Sequence, residues 1–279
     1  MGALVLNSCA SGSTSWVETT MTTSSSAAIL GLIVAISPAA RADDVSYQLE
    51  TSVASSYVSR GIPQYADRGV ASSQNTASLK IDHVGPGSLS LAVWNAVALS
   101  DYETQPGTAL EVDPSIAYAY RTGALTITTG YSVSLFPERM DGTPLDGAHE
   151  LSGIVSYDNP YAVPTVAAYV EVAHQQGVYL SVGASRDLHL GRWTLSPAIS
   201  AGGATYRKYL GGDKMAPPHL NDLTGVLVGR RDFDAGFYAT TKLSYSFCGT
   251  PSELIPMDPS WGLEGRSTLF GVVAFGVSR

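Results

Sequence analysis

The sequence predicts an all-β protein, a transmembrane antiparallel up-and-down β-barrel of about twelve strands. Three observations predict this fold. From Val45 onward, apolar and polar side chains alternate in segments of roughly ten to fourteen residues. Short and long connections alternate between these segments, as in barrels with tight turns at one rim and long loops at the other. Charged residues make up only 14% of the chain, against about a quarter in typical soluble domains.

The N-terminal region predicts export. The apolar run Ala27–Ile36 is followed by the small-x-small sequence Ala40-Arg41-Ala42. Because a membrane-spanning helix takes about 20 apolar residues, this run is too short to span and is typical of a signal peptide. We therefore assign residues 1–42 to an N-terminal extension and cleaved signal peptide, and residues 43–279 to the barrel. Met1 and Met21 both remain candidates for the start.

The first predicted strand, Val45–Tyr57, alternates from end to end. Tyr47 and Tyr57 fall on the apolar face, ten residues apart, which corresponds to about 25 Å along the membrane normal in a tilted strand. This is the separation of the two aromatic girdles of a membrane barrel. A secreted β-sandwich would show the same alternation, but it would leave the aromatic spacing unexplained.

Eleven further segments continue the pattern and bring the predicted total to twelve, an even number as in bacterial single-chain barrels. These segments are about Val70–Asp82, Leu89–Leu99, Leu110–Tyr120, Leu125–Leu135, Glu150–Tyr157, Thr165–His174, Val178–Ser185, Trp193–Ala201, Leu223–Arg230, Phe237–Phe247 and Leu269–Val277. Leu223–Arg230 is the weakest of them.

The predicted connections divide into two classes. The short turns are His83–Gly87, Arg121–Ala124, Asp158–Val163, Asp187–Gly191 and Arg231–Ala235. The long connections are Ser59–Gly69, Ser100–Ala109, Phe136–His149, Ala204–Asp222 and Cys248–Gly265. The connection near Gln175-Gln176-Gly177 is short where a long one is expected. With both barrel termini in the periplasm, the long loops face the outside of the cell.

Charge and cysteine content exclude some classes of function. Acidic residues outnumber basic ones by 24 to 16, for a net charge of −8, which argues against nucleic acid as a partner. The two cysteines are Cys9 in the leader and Cys248 in the barrel. They provide neither a disulfide framework nor a cysteine zinc site. We expect no cofactor and no metal.

Charged residues on the inward face are the candidates for a pore lining. They are Glu50, Lys80, Asp82, Glu111, Asp113, Glu150, Glu171, Arg192 and Lys242. One interpretation is a narrow, mildly cation-favouring lumen, and the other is a salt-bridged plug. Eight strands enclose only side chains and sixteen leave an aqueous channel, so twelve strands permit either.

Arg60 is a further candidate, at the pore mouth. It either forms a constriction that contacts anions or pairs with a carboxylate of the wall, with Gly61 allowing a sharp bend.

Four short motifs resemble a known family. Ser56–Gln64, S-Y-V-S-R-G-I-P-Q, resembles the first-loop pattern S-D-Y-V-x-R-G-x-S-Q of the TorF-type porins, also called the Gcw-type family of outer-membrane barrels. Trp94-Asn95, Glu111-Val112-Asp113 and Gly177–Leu180 are similar to further motifs of this family. The resemblance implies the bacterial outer membrane and a channel for small polar solutes. Outer-membrane lipid and the barrel-assembly machinery are then the expected partners, and the oligomeric state stays open.

Two alternatives use the same fold. A non-conducting barrel would act through its outer loops, for example Tyr206–Tyr209. An outer-membrane hydrolase would need a serine beside a histidine on the lipid-facing wall. The sequence contains no G-x-S-x-G, and His149-Glu150 is typical of a solvated pair at a loop end. We therefore expect no enzyme.

Overall fold

Twelve long strands form the wall of the protein in the computed structural model. It describes residues 44–60, 62–63, 71–99, 109–135, 147–173, 177–205, 219–248 and 267–279. The strands are β1 Val45–Ala54, β2 Ser72–Val84, β3 Gly87–Ala98, β4 Ala109–Thr122, β5 Leu125–Ser134, β6 Ala148–Tyr157, β7 Val163–Glu171, β8 Val178–Ser185, β9 Trp193–Thr205, β10 His219–Asp232, β11 Phe237–Cys248 and β12 Ser267–Ser278.

The strands close into a barrel. Each strand pairs antiparallel with its neighbours in sequence. The first and last strands also pair, from Gln48 opposite Ser278 to Ala54 opposite Val272. Closure leaves no open edge among these twelve described strands. The predicted fold and the twelve predicted strands are confirmed.

The wall has two chemically different faces. On β1, Tyr47, Leu49 and Val53 are exposed on the outside, whereas Ser52 and Ala54 are buried on the inside. The same alternation covers the outer wall with exposed aliphatic side chains, among them Ile116, Ile127, Leu151, Val155, Val166, Val170, Leu180, Val182, Ile199, Leu227, Leu243, Leu269 and Val273. A continuous apolar belt of this kind is stable in lipid rather than in water.

Aromatic side chains mark both ends of the belt. Near the short turns, exposed aromatic rings come from Tyr47, Tyr120, Tyr157, Trp193, Phe237 and Phe275. Towards the long-loop rim, Tyr131 and Tyr245 are exposed on the outer wall. Such girdles are typical of barrels at the two membrane interfaces.

The predicted position of Tyr57 in the outer aromatic girdle is wrong. β1 ends at Ala54 rather than at Tyr57, because the next residue, Ser55, ties the chain to Gly271 of β12 through its backbone and hydroxyl. The chain then leaves the wall, and Tyr57 is only 4% exposed, with its ring 5.5 Å from that of Trp94. Tyr57 therefore lies inside the barrel.

The short turns are well defined by the structure. Between β4 and β5, Gly123 adopts a φ of 59°, and before β9, Gly191 adopts a φ of 67°; both values favour glycine. Leu188–Leu190 forms an extra short strand against β9. The predicted signal peptide and most of each predicted long connection lie outside the described residues.

No helix in the described part of the chain is long and apolar enough to cross a membrane.

Candidate functional site

A short segment after β1 enters the lumen at the long-loop end. Val58–Ser59 pairs with Ile62–Pro63 as a two-residue ladder, and Arg60 at the turn has a φ of 48°. We call residues 57–60 and 62–63 the inner hairpin. Its two described large side chains, Tyr57 and Arg60, contact different sides of the barrel. The inner hairpin therefore divides this end of the lumen.

Arg60 binds the wall formed by β6, β7 and β8. Its guanidinium group donates to the Glu150 carboxylate at 2.5 Å. The same group lies 5.0 Å from the centre of the Tyr169 ring and 4.6 Å from that of Tyr179. A planar guanidinium suits both contacts at once, since it donates in its plane and stacks on aromatic faces. Arg60 thus lies inside the lumen and pairs with a carboxylate of the wall, which is one of its two predicted roles.

Tyr57 binds a different part of the wall, formed by β3 and β4. Its hydroxyl donates to Glu111 Oε2 at 2.5 Å, and its ring packs with Leu110, Ala96 and Ala98. Alternation along the predicted segment Leu110–Tyr120 would place Leu110 on the outer face with Val112 and Ile116, but Leu110 is buried inside the barrel, because the β3–β4 register shifts after Ala96. A bulge of this kind re-aims the side chain at the irregularity. This half of the long-loop end is packed.

A pair of acidic side chains lies behind the Tyr57 ring. Glu111 and Asp113 are two residues apart on β4, so both point to the lumen side. They are only 1% and 5% exposed, respectively. Among the described residues, Glu111 Oε1 and Asp113 Oδ1 have no hydrogen-bond partner. This pair is therefore shielded from the open part of the lumen.

The open half of the long-loop end is a cavity of about 300 Å³ beside β8, β9, β10, β11 and β12. Charged and aromatic groups on its surface include Arg60, Tyr169, Tyr179, Asp222, Lys242 and Phe270, and hydroxyl groups come from Ser59, Ser181, Ser200, Thr224, Ser244 and Ser246. The Tyr179 hydroxyl donates to Asp222 Oδ1 at 2.9 Å. On the neighbouring strands, Glu150 lies opposite Glu171, which adds a further carboxylate to this end.

A second cavity of about 600 Å³ lies towards the short-turn end, lined by Ser46, Gln48, Ser78, Lys80, Ser90 and Ser278 among others. Near it, the Tyr238 hydroxyl donates to Glu50 at 2.9 Å and accepts from Gln48 at 2.8 Å. The Arg230 guanidinium lies 3.9 Å from the centre of the Tyr238 ring. The wall at this end is hydrogen-bonded across β11, β12 and β1.

The predicted pore-lining residues divide into three groups. Glu50, Lys80, Glu111, Asp113, Glu150, Glu171 and Lys242 lie on the lumen face of their strands. Asp82 also has inward parity, but it pairs with Lys80 at 2.7 Å in a half-exposed position at the short-turn rim. The predicted inward position of Arg192 is wrong. It precedes β9 in an exposed turn and lies 3.6 Å from Asp234.

Sequence reasoning missed several lumen residues. Asp222 and Arg230 have the inward parity of β10; Asp222 lies one residue before the predicted segment, whereas Arg230 is its last residue and its inward parity was overlooked. Tyr179 and Tyr238 point inward against Gly202 and Gly276 on neighbouring strands, where an added Cβ would lie 2.1 Å and 2.3 Å from the tyrosine hydroxyl oxygens, respectively. Such a match depends on strand register, which the sequence does not display.

Two histidines bear on the hydrolase alternative. His149 lies on the outer wall with its Nδ1 atom 2.5 Å from the Tyr131 hydroxyl, and His189 Nδ1 lies 3.1 Å from Thr194 Oγ1. These partners are a phenol and a threonine rather than a serine. Within the described ranges, no three His, Cys, Asp or Glu side chains are grouped to hold a metal ion. The absence of an enzymatic activity stays a prediction.

Several solved outer-membrane barrels are similar in fold. LpxR from Salmonella typhimurium is 11% identical with a TM-score of 0.47, over 82% of this chain and 99% of that one. The NanC porin is 9% identical with a TM-score of 0.45, over 83% and 98% of the two chains. Outer membrane phospholipase A from Escherichia coli is 14% identical with a TM-score of 0.41, over 84% and 92%.

No protein-family profile and no curated protein matches this sequence. The resemblance to the TorF-type porins therefore stays a prediction.

Proposed function

We propose that this protein is a channel of the bacterial outer membrane that passes small polar or ionic solutes. The observation that carries this proposal is a lumen faced by hydroxyl, amide and charged side chains around two cavities of about 300 Å³ and 600 Å³. In a barrel whose lumen is plugged by side chains, the interior would be closely packed along its whole length. Here close packing is concentrated around Tyr57, on one side of the inner hairpin.

The apolar belt and the predicted leader both support this location. The belt needs lipid, and a signal peptide would deliver the chain for insertion by the barrel-assembly machinery. Outer-membrane lipid and that machinery are accordingly the partners we propose, together with the solute.

The charge of the long-loop end supports a preference for cations. In the described part of the lumen, the carboxylates on the open side of this end are those of Glu150, Glu171 and Asp222, whereas Glu111 and Asp113 lie in the packed half. The basic groups there are Arg60 and Lys242. Rings of acidic side chains favour cations in channels, and low-dielectric walls strengthen their field.

The inner hairpin is the proposed constriction. Arg60 holds it against β6, β7 and β8 through one ion pair and two aromatic contacts. Each cation–π contact contributes about 0.5–2 kcal/mol. Removing Arg60 would also leave the largely buried Glu150 carboxylate without its counter-charge. Loss of the guanidinium should therefore release this side of the hairpin.

The test is single-channel conductance in planar bilayers, with the barrel purified from outer membranes. Discrete conductance steps are expected for the unmodified protein, and larger, noisier steps for Arg60→Met. Arg121→Met is the matched control, because Arg121 pairs with Asp158 in an exposed position at the short-turn rim. An Arg60→Met channel with unchanged steps would contradict the constriction. A folded, inserted protein that never conducts would contradict the channel itself.

A further inference from the structure

Lys242 is a cation with an unusual position in the lumen. It lies on the inward face of β11 and lines the cavity of about 300 Å³. Among the described residues no ion pair includes it, whereas Arg60, Lys80, Arg121, Arg192 and Arg230 all have carboxylate partners. A cation that is withdrawn from bulk water without a partner is costly. A bound anion would supply that partner.

A serine whose hydroxyl has no hydrogen-bond partner in the described part of the chain lies two residues from Lys242 on the same face of β11. Lys242 is opposite Val272 on β12, and Ser244 is opposite Phe270. The Lys242 Nζ atom lies 5.7 Å from the centre of the Phe270 ring, and Phe270 is the cross-strand neighbour of Ser244. The Ser244 side chain is fully buried, and its Oγ atom has no hydrogen-bond partner among the described residues.

The surroundings favour a small ligand with one negative charge. Val226, opposite Ser244 on β10, and Phe270 flank the position with apolar surface, which strengthens a charge-assisted hydrogen bond. Beyond them, Ser181, Ser200, Thr224 and Ser246 line the same cavity. Its volume is at the lower end of the roughly 300–1,000 Å³ of ligand sites. Because carboxylates surround this end of the lumen, a dianion would be repelled more strongly than a monoanion.

We propose that Lys242 and Ser244 form a binding subsite for the carboxylate group of a small solute inside the lumen. The ammonium and the serine hydroxyl donate to the carboxylate, and the neighbouring hydroxyls meet the polar remainder of the solute. The inference deepens the proposed channel function, on which its role in permeation rests. Binding itself does not require conduction, so the two are tested separately.

The experiment is isothermal titration calorimetry of the full chain in detergent micelles, with lactate as the probe. Lactamide is the matched ligand control, since it has nearly the same shape and no charge. Lactate is expected to bind and lactamide to bind at least about tenfold more weakly, as expected for loss of a charge-assisted hydrogen bond. Inorganic phosphate is expected to bind more weakly than lactate.

Substitutions assign the site. Lys242→Met should weaken lactate binding by about tenfold or more, and Lys242→Arg should retain most of it, because the charge is kept. Ser244→Ala should weaken binding severalfold, and Arg121→Met at the short-turn rim should not change it. Circular dichroism checks that each variant keeps its β-sheet content, and Lys242→Arg provides a conservative change should Lys242→Met fail to fold.

Three results would overturn the subsite: no lactate binding, equal binding of lactate and lactamide, or unchanged binding by Lys242→Met. Phosphate binding as tight as that of lactate would overturn the carboxylate assignment. Lactate binding by a protein that never conducts would support the subsite and reject the channel. Conduction without lactate binding would support the channel and reject the subsite.

Discussion

Tyr57 shows how one side chain can fit two different interpretations. Its parity with Tyr47 predicts a position in the outer girdle, and the alternation of the first segment supports that prediction. The hydroxyl instead donates to Glu111 inside the barrel, and the ring packs on Trp94. Alternation remains informative only while the chain stays in the wall, and the departure after Ala54 depends on a bond to Gly271 that is remote in sequence.

Replacing Tyr57 by phenylalanine should destabilise the protein by about 1–3 kcal/mol, because a buried acceptor loses its donor. The measurement is the free energy of unfolding in denaturant, with the protein in lipid vesicles. Tyr120→Phe is the control, since Tyr120 is exposed on the outer wall, and it should change little. The loss should be smaller in a Glu111→Gln background; an equal loss there would contradict the role of this bond.

At the scale of elements, most of the fold could be predicted from the alternation of polar and apolar residues along the strands. This alternation predicted every strand of the barrel, because each strand separates lipid from a polar interior. β10 was the weakest prediction, yet it extends over His219–Asp232, because β9 provides backbone partners from His219 to Arg231 and β11 from Asp222 to Asp232. Neither the register shift that turns Leu110 inward nor the inner hairpin has a periodic signature.

Glycine and tyrosine pair across neighbouring strands in the lumen. Gly276 lies opposite Tyr238, and an added Cβ would lie 2.3 Å from the ring. Gly276→Ala should therefore displace Tyr238 from Glu50 and Gln48 and destabilise the barrel by about 1–3 kcal/mol, as overpacking does. Gly153→Ala is the matched control, because nothing described lies within 4 Å of its added Cβ. Similar unfolding free energies for the two variants would contradict this account of the pair.

At the scale of the whole molecule, the lipid-facing and lumen-facing sides of the wall should respond differently to the same substitution. Val182 and Ser181 are neighbours on β8; Val182 is 56% exposed on the outer wall, and Ser181 lines the cavity. Val182 is in the middle of β8, so Val182→Arg should cost about 2–4 kcal/mol of stability in lipid vesicles. Ser181→Arg should fold and reduce conductance by filling the cavity. The reverse pattern would contradict the assignment of the two faces.

The candidate site was less predictable than the wall for a physical reason. Inward parity placed seven of the predicted charged residues on the lumen face, but their partners come from strands and a hairpin distant in sequence. Glu150 meets Arg60, and Glu111 meets Tyr57. Arg192 is charged, as a pore-lining residue is expected to be, but it lies in a turn. Which carboxylates face open space therefore depends on the path of the inner hairpin.

The most direct test of the account is the reversal potential of single channels in a gradient of potassium chloride. A channel with an acidic open lumen should give discrete steps and a reversal potential biased towards the cation. Asp222→Asn should weaken the bias, because Asp222 lines the open cavity, and Asp113→Asn should change it less, because Asp113 lies in the packed half. An anion-biased reversal potential, or an inserted barrel with full β-sheet content and no current, would contradict the proposed channel.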